Sequence, residues 1–246
     1  MKSYNFFAKV YDDLTDNVNY KVRSDYISDF FNKYNVHSGD TILDLACGTG
    51  SISAELINLG YKVIGMDLSS EMLSVAASKL NGSAVLLNGN MKNFKLPQKV
   101  KGVVCSLDSL NHLADIQEVK QCFNSVYNCL DNNGIFIFDV NTIFKHNNVL
   151  ANNTFVFDEE NYFLSWDNEL AENNKVRILI DIFYYNGTNY DRYSEEFIET
   201  AFSTDELKSV LTPYFNVLGI YDELTDKPPK NDSQRLYFIC ERKNNG

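Results

Sequence analysis

Short apolar segments alternate with longer amphipathic segments between Thr41 and Val140, and this alternation limits the possible folds of the 246-residue chain more than any other feature. Runs such as TILDLA and KVIGMD are typical of strands that are buried on both faces. Runs such as SSEMLSVAASKL and IQEVKQCFNSVYNCL have the length and spacing of helices. The alternation predicts an α/β fold with a doubly wound, mostly parallel sheet. The last two apolar runs, FNVLGIYDEL and RLYFICERK, predict an antiparallel strand pair at one sheet edge.

A lead-in and an inserted cap flank this pattern. Residues 1–37 are rich in aromatic side chains and predict a helical lead-in or lid. Between 151 and 202 the pattern becomes strand-like runs separated by polar turns, and Asn186-Gly187 between two of these runs indicates a β-hairpin. We therefore expect an antiparallel β cap of three or four strands at 151–202, inserted in an α/β domain formed by 38–150 and 203–246.

Charge and cysteine content exclude several classes of function. The chain has 22 Lys and Arg against 33 Asp and Glu, a formal net charge of -11, so its field repels phosphate backbones and anionic lipids. We expect neither a nucleic-acid nor a membrane partner. The five cysteines lack the spacing of a zinc site or a disulfide framework, so no metal is expected. No segment has the apolar length of a membrane span or secretory signal, which predicts a cytoplasmic protein.

A glycine-containing turn stands between the first predicted strand and the following helix. In Asp44-Leu45-Ala46-Cys47-Gly48-Thr49-Gly50 two glycines allow a tight bend and a close approach of a ligand to the backbone. A dinucleotide fingerprint would place a third glycine at Ser53, which disfavours an NAD-linked enzyme. The next strand ends in Asp67, whose carboxylate is suited to a ribose diol. Asp67 alone would fit NAD, FAD or S-adenosylmethionine.

These segments resemble the ordered motifs of a known family. DLACGTG, GMDLSSEML, GNM and GIFIFDVNT follow one another over about residues 41–142 as in class I S-adenosylmethionine-dependent methyltransferases, which have a Rossmann-like fold. The YDDL start and the β-rich insertion are similar to a bacterial small-molecule subgroup with a β-rich C-terminal cap. The resemblance implies S-adenosyl-L-methionine as cofactor.

The resemblance also implies roles for single residues around the adenosine and methionine halves of the cofactor. Asp44 would lie near the methionine ammonium, Gly48 and Gly50 would pass beneath the cofactor beside Ala46, and Asp67 would bind both ribose hydroxyls. The remaining cofactor contacts implied are an apolar adenine wall from Leu68 and Met72, the adenine edge at Asn90 and Met91, and the methionine end at Ser106 and Leu107. The family most often has Asp where this chain has Asn90, and an Asn carbonyl can still accept from the adenine amino group.

The lead-in and the loop after the fourth predicted strand supply further candidates. Tyr4, Phe7 and Tyr11 could fold over the cofactor as a lid, the alternative being ordinary core packing. His112 is the one histidine just after a core strand, and we predict it as a general base against the alternative of a packing role. Two polar residues of the same loop, Asp108 and Asn111, are predicted to contact the acceptor.

The cap suggests a type of acceptor. Residues 151–202 contain eleven Asp or Glu against three Lys or Arg, together with twelve of the chain's thirty-three aromatic residues. Acidic and aromatic groups both attract ammonium-type cations, so we expect an amine or similar small acceptor, with Trp166, Tyr184 and Tyr193 as pocket walls. The alternative is that the aromatics form the cap's own core and the acids are solvated.

We therefore predict methyl transfer to a nitrogen or oxygen of a small molecule, by in-line displacement from the sulfonium. Two alternatives remain: a non-catalytic S-adenosylmethionine binder or sensor, and an RNA or protein methyltransferase, which would require a basic surface strip. The sequence indicates neither the identity of the acceptor nor the oligomeric state.

Overall fold

The computed structural model of the chain describes residues 7–244. In chain order its strands are β1 (Thr41–Leu45), β2 (Lys62–Asp67), β3 (Ala84–Asn88), β4 (Val100–Cys105), β5 (Leu130–Asn141), β6 (Thr154–Asp158), β7 (Tyr162–Ala171), β8 (Lys175–Tyr185), β9 (Tyr190–Thr200), β10 (Phe215–Asp222) and β11 (Arg235–Arg242). Its α-helices are α1 (Phe7–Leu14), α2 (Tyr20–Lys33), α3 (Ser51–Asn58), α4 (Ser70–Leu80), α5 (Ile116–Cys129), α6 (Ile143–Lys145) and α7 (Thr204–Leu211).

The central sheet has seven strands in the order β10-β11-β5-β4-β1-β2-β3. Strands β1 to β5 pair in parallel, and β11 and β10 add to β5 as an antiparallel pair at one edge. The order in which strands are added reverses between β1 and β4, because β2 and β3 lie on one side of β1 and β4 and β5 lie on the other. In open α/β sheets, ligands bind at the carboxyl ends of the strands at such a reversal. The predicted mostly parallel α/β sheet and its antiparallel edge pair are confirmed.

Helices cover both faces of this sheet. Helices α5 and α7 pack on one face through Phe123 and Leu207, whereas α2 and α3 pack on the other through Phe31 and Leu56. Strand β4 therefore contributes to both cores. The side chain of Val103 packs in the core under α5 and α7, and that of Val104 packs in the core under α2 and α3. Burial on both sides explains why these strands are continuous apolar runs in the sequence.

The cap is a separate four-stranded antiparallel sheet in the order β6-β7-β8-β9, as the sequence predicted. Its strands alternate between an inner and an outer face, so that β8 buries Ile178, Ile180 and Ile182 on the inner face and places Asp181 on the outer face. The hairpin predicted at Asn186-Gly187 joins β8 to β9. Its loop has four residues, 186–189, and the Asn186 side-chain oxygen accepts hydrogen bonds from the amides of Thr188 and Asn189.

The lead-in contains two helices with different partners. Helix α2 packs on the central sheet, whereas α1 contributes Phe7, Val10 and Leu14 to a third core that it shares with the inner face of the cap and with Met72 of α4. Helix α1 therefore lies between the cap and the α/β domain. Tyr4, which we predicted in the lid, lies outside the described residues.

Two further properties concern cysteines and membrane spans. All five cysteines are free and buried, as small apolar side chains would be. Within residues 7–244 no helix has both the length and the apolarity that crossing a membrane requires.

Candidate active site

The turn after β1 bends through three residues with positive φ angles, which are Ala46 at 60°, Gly48 at 53° and Gly50 at 78°. A hydrogen bond from the Cys47 amide to the Met66 carbonyl (3.0 Å) ties the turn to the end of β2. A Cβ atom placed on Gly48 would meet no atom of the described residues within 4 Å. The backbone at Gly48 therefore borders open space, as close approach of a ligand requires.

Gly50 has a packing reason to be a glycine, and its predicted contact with the cofactor stays a prediction. A Cβ atom at this position would lie 3.1 Å from the Cβ of Ala76 and 3.2 Å from Leu80 on α4. The absence of a side chain at Gly50 thus allows the start of α3 to pack against α4, in addition to permitting the positive φ angle. No ligand is needed to explain this glycine.

Asp67 lies at the end of β2 and holds the glycine turn. Its two carboxylate oxygens accept hydrogen bonds from the Gly48 amide and the Ser69 amide, each at 2.8 Å. Burial raises the pKa of Asp67, and the backbone donors at Ser69 and Gly48 oppose that shift. The carboxylate is consequently fixed in orientation beside the open space at Gly48.

Asp44 is the more deeply buried of the two acids, only 2% exposed at the end of β1. Its carboxylate accepts a hydrogen bond of 2.5 Å from the Ser53 hydroxyl of α3. Burial raises its pKa to about 7, although the Ser53 hydrogen bond acts in the opposite direction. A cationic group entering the crevice would favour the ionised form of Asp44.

The residues predicted around adenine differ in exposure. Leu68 is 69% exposed beside Asp67, whereas Met72 is buried against α1 and the cap. The Asn90 side-chain oxygen accepts a hydrogen bond from the Lys92 amide (3.0 Å), and Met91 packs partly buried against the sheet core. Leu68 is therefore accessible to a ligand. Met72 of α4 instead packs against the lead-in helix α1 and the cap.

Helix α1 is held on the glycine turn by Asp12. The Asp12 carboxylate accepts hydrogen bonds from the Thr49 hydroxyl (2.7 Å) and the Ser51 hydroxyl (3.4 Å), and it forms an ion pair with Lys79 of α4 (2.8 Å). At the start of the same helix, the buried ring of Phe7 packs edge-on against Trp166 of the cap. These contacts place α1 over the start of α3.

Tyr11 of α1 is partly buried, with its ring edge-on to Phe7 at 5.4 Å between centroids. Burial raises its pKa well above the usual range, and Tyr20 and Asp108 add to the shift. Tyr11 is therefore a neutral phenol within electrostatic reach of the loop after β4. The lead-in thus extends from the glycine turn towards Asp108.

The turn after β4 comprises Ser106, Leu107 and Asp108. The buried Ser106 hydroxyl has no hydrogen-bond partner among the described residues. Leu107 and Asp108 have positive φ angles of 57° and 55°, and the buried Asp139 carboxylate accepts hydrogen bonds from both of their amides. Arg235 binds Asp108 at 2.7 Å, so this turn is held from the β5 and β11 side of the sheet.

Asn111, predicted to contact the acceptor, instead joins two strands. Its side chain donates to the carbonyls of Asn141 (3.1 Å) and Thr200 (3.0 Å) and accepts from the Asn141 amide (2.9 Å). Both of its N–H donors are used and the side chain is fully buried. Asn111 therefore connects the end of β5 to the end of cap strand β9.

His112 follows Asn111 and lies against the cap. The side chain is 32% exposed, and its Nε2 is 4.0 Å from a carboxylate oxygen of Glu199 on β9. The ring packs against Phe197 at 5.3 Å between centroids. The other Glu199 oxygen is 3.6 Å from Nε2 of His146, so one buried acid lies between two histidines.

The cap has its predicted aromatic residues on the inner face and its ion pairs on the outer face. Trp166, Tyr184 and Tyr193 all lie on the inner face and pack with α1. Three of the eleven acids form ion pairs on the outer face, where Glu169 and Glu196 bind Arg177 and Asp181 binds Arg192. These three acids face away from the inner wall, so they give no support to the predicted amine acceptor, which stays a prediction. The two buried inner-face acids are Glu195 and Glu199.

Sequence reasoning missed four polar residues of this region. Asp139 and Arg235 bind the predicted turn residues Leu107 and Asp108, Glu199 lies 4.0 Å from His112, and Asp12 binds Thr49 within the glycine turn. Asp139 was visible as a carboxylate at a strand end within the GIFIFDVNT motif, whereas Arg235 is distant in the chain and had no motif to mark it.

The crevice fits the cofactor that the motifs imply. The open space at Gly48, the fixed carboxylate of Asp67 beside it and the unpartnered Ser106 hydroxyl suit an adenosyl group with a polar tail. The buried carboxylate of Asp44 provides the acid that a ligand ammonium requires.

Comparison with known proteins agrees with this chemistry. Residues 42–134 match the model of a methyltransferase domain family. The putative methyltransferase YqeM of Bacillus subtilis (strain 168) is 33% identical over 245 residues, covering 97% of each chain.

Solved structures extend the comparison to the whole fold. The crystal structure of an S-adenosylmethionine-dependent methyltransferase from Clostridium acetobutylicum ATCC 824 has a TM-score of 0.87 at 32% identity and covers 98% of this chain and 99% of its own. The sugar N-methyltransferase KedS8 from Streptoalloteichus sp ATCC 53650 shares the fold with a TM-score of 0.79 at 19% identity, covering 96% and 93%. Full-length similarity and the crevice together show that the chain belongs to the class I S-adenosylmethionine-dependent methyltransferases and uses S-adenosylmethionine as its cofactor.

Proposed function

We propose that the chain methylates a nitrogen or oxygen nucleophile of a small, polar acceptor in the cytoplasm. When bound, S-adenosylmethionine supplies a methyl group on a sulfonium, so the protein needs mainly to align the acceptor and exclude water. The five free, buried cysteines are in keeping with a reducing compartment. The observation that carries the proposal is a polar cavity beside Asp108.

This cavity has a volume of about 820 Å³ and lies between the lead-in and the segment that joins β10 to β11. Its lining is polar except for Val18 and Leu224. Arg235 lines the cavity and also binds Asp108, so the cavity adjoins the turn after β4. Its size suits a small molecule, and its acidic, basic and amide groups suit an acceptor that bears hydroxyl and amino groups.

The cofactor contacts in this proposal follow the geometry of the crevice. Asp67 accepts hydrogen bonds from the ribose hydroxyls, and Asp44 accepts them from the methionine ammonium. The backbone at Gly48 passes beneath the adenosyl group. Ser106 and Leu107 border the methionine end. At the adenine end the proposed contacts are Leu68, Asn90 and Met91.

The lead-in and cap exclude water in this proposal. Asp12 holds α1 on the glycine turn, and Phe7 and Trp166 connect that helix to the cap. Tyr11, Tyr184 and Tyr193 pack partly buried against the core that α1 shares with the cap. A site closed in this way favours methyl transfer over side reactions with water.

Small-molecule acceptors are favoured over RNA or protein by charge and by a structural neighbour. The net charge of -11 opposes binding of a phosphate backbone. KedS8, which shares the fold, is by its name a sugar N-methyltransferase. An amino or hydroxyl group on a sugar-like ring would meet the polar lining described above.

The acceptor class is tested with isotopically labelled S-adenosylmethionine and a cell extract separated into metabolite, RNA and protein fractions. We expect the label to enter the metabolite fraction only. Label in RNA or protein would contradict the small-acceptor proposal. Cofactor binding without transfer to any fraction would indicate a sensor instead.

His112 is proposed to accept the proton of the nucleophile. Its side chain is 32% exposed, and a carboxylate oxygen of Glu199 lies 4.0 Å from Nε2. Replacing His112 with Asn should lower kcat by about a hundredfold, while the affinity for S-adenosylhomocysteine stays unchanged. The control is His37→Asn, because His37 is exposed and lies between α2 and β1. An unchanged kcat in His112→Asn would exclude the proposed role.

A further inference from the structure

Two consecutive residues after β4 hold a backbone conformation that L-amino acids disfavour. Leu107 and Asp108 have φ angles of 57° and 55°, and neither is a glycine or an asparagine. Such residues persist where the surrounding structure determines their conformation, and they concentrate at functional sites. The contacts that hold Leu107 and Asp108 in this conformation therefore indicate which function the turn has.

Asp139 supplies the first of these contacts. Its two oxygens accept hydrogen bonds from the Leu107 amide (2.8 Å) and the Asp108 amide (2.9 Å). The residue is fully buried near the end of β5, which pairs with β4, so its carboxylate lies directly beside the turn. Successive amides in such a bend form a concave anion site, and here the anion is a side chain of the protein itself.

Arg235 supplies the second contact and joins the two acids. Its guanidinium donates to the Asp139 carboxylate and forms an ion pair of 2.7 Å with Asp108. The side chain is only 8% exposed, and its Nε lies 3.4 Å from Glu223. The planar fork of an arginine can bind two carboxylates in fixed directions, which a lysine ammonium cannot do equally well.

Charge reinforces this arrangement. Burial by itself would raise the pKa of Asp108, but Arg235, Lys145 and His112 outweigh it and lower that pKa to about 2. Asp108 is therefore ionised throughout the physiological range and keeps its bond to Arg235. The turn is fixed by charged partners that belong to β5 and β11 and that are present without any ligand.

We infer that Asp139 and Arg235 are positioning residues, which hold Ser106, Leu107 and Asp108 in the shape that receives the methionine end of S-adenosylmethionine before the cofactor binds. The inference rests on the proposed function, which assigns Ser106 and Leu107 to that end. The buried Ser106 hydroxyl has no partner among residues 7–244, so this shape leaves a hydrogen-bonding group available to the ligand. Loss of Asp139 or Arg235 would release the disfavoured backbone and turn Ser106 away.

The test compares two ligands that differ in the part proposed to meet the turn. S-adenosylhomocysteine carries the amino-acid tail, whereas 5′-methylthioadenosine lacks it and retains the adenosine. In Arg235→Met the affinity for S-adenosylhomocysteine, measured by calorimetry, should fall about tenfold, as expected for loss of a charge-assisted contact. The affinity for 5′-methylthioadenosine should change less than about twofold.

Two further variants keep the test decisive if Arg235→Met folds poorly. Asp139→Asn keeps the size of the side chain but removes one of the charges that Arg235 binds. Arg235→Lys keeps the charge but not the fork, and both variants should show the same selective loss. Arg192→Met serves as the matched control, because Arg192 pairs with Asp181 on the outer face of the cap.

Each outcome has a defined meaning. Equal affinity of wild type and variants for S-adenosylhomocysteine would overturn the positioning role. Equal loss for both ligands would also overturn it, because it would indicate general destabilisation. Failure of the wild type to bind either ligand would instead overturn the proposed function and the inference with it.

Discussion

Asp44 shows how burial of a single carboxyl group links pH to stability. Its pKa is raised to about 7 by burial, and the Ser53 hydroxyl only partly offsets this. The folded protein therefore prefers the protonated form over a range of pH in which an unfolded chain carries the ionised form. The associated stability is present below the ordinary pKa of 3.8 and is lost as the pH rises through about 7.

We predict that Asp44→Asn removes this loss, since an amide resembles the protonated acid and does not ionise. In the absence of ligand, the variant and the wild type should have similar Tm values at about pH 4, near the ordinary pKa of the carboxyl group. At pH 8 the variant should be more stable by a few kcal/mol. Thermal melts at the two pH values measure the difference, and a difference that does not vary with pH would contradict the account.

The residues around Asp44 also show what can be inferred from local sequence. Gly48 and Asp67 were found because each follows a strand within a short motif, and the structure brings them into direct contact. Gly50 was assigned to the ligand because the sequence does not show that α4 packs against it. The Asp139–Arg235 pair could not be found, because its members are 96 residues apart and the contact arises only when β11 pairs with β5.

Among the secondary-structure elements, α1 depends on a small number of polar contacts. Asp12 connects it to Thr49 at the glycine turn and to Lys79 on α4. Both charged groups are partly exposed, so water screens the ion pair and limits its contribution. The helix should therefore be held firmly enough to cover the crevice and weakly enough to open.

We predict that Asp12→Ala loosens α1 without unfolding the protein. Hydrogen exchange of the amides in Phe7–Leu14 should become about fivefold faster, as expected for loss of a partly exposed ion pair. The affinity for S-adenosylhomocysteine should fall in parallel. Asp13→Ala is the matched control, since Asp13 is exposed on the same helix. If both variants exchange equally, Asp12 does not hold the helix.

The connection between the central sheet and the cap depends on a buried amide. Asn111 binds the backbone of Asn141 at the end of β5 and of Thr200 at the end of β9. Truncation of this side chain would leave the two carbonyls and one amide without these partners. Buried polar groups that lose their partners are costly because water does not replace the lost bonds.

We predict that Asn111→Ala lowers the free energy of unfolding by about 2–4 kcal/mol. Urea denaturation without ligand measures this, and the exposed Asn128→Ala on α5 should change the value by less than about 0.5 kcal/mol. If stability is unchanged and only turnover of the acceptor falls, Asn111 contacts the acceptor after all.

Across the whole molecule, the architecture was more predictable than the arrangement of its charges. The strand–helix alternation, the antiparallel edge pair and the cap sheet depend on local periodicity, which a sequence displays directly. The face on which a cap residue lies was also periodic, since β8 alternates between Ile180 and Asp181. The prediction nevertheless treated all acidic residues of the cap as one group. Only the position of the cap relative to α1 shows that Asp181 lies on the outer face and Glu199 on the inner face.

The sheet and the lead-in together form the two regions in which chemistry is proposed. The crevice for the cofactor lies at the carboxyl ends of β1, β2 and β4, and the polar cavity lies on the β10 and β11 side of Asp108. Arg235 touches both regions, because it lines the cavity and binds the turn. The proposed cofactor crevice and the proposed acceptor cavity therefore both border the turn that Asp139 and Arg235 hold.

Calorimetric titration of the wild type, Gly48→Val and Asp67→Ala with S-adenosylmethionine tests whether the crevice is the cofactor site. The wild type should bind S-adenosylmethionine and not NAD. Each variant should lose at least about tenfold in affinity, because a side chain at Gly48 would enter the open space and Asp67→Ala removes the carboxylate beside it. Wild type that fails to bind S-adenosylmethionine, or variants that bind it as tightly as wild type, would contradict the account.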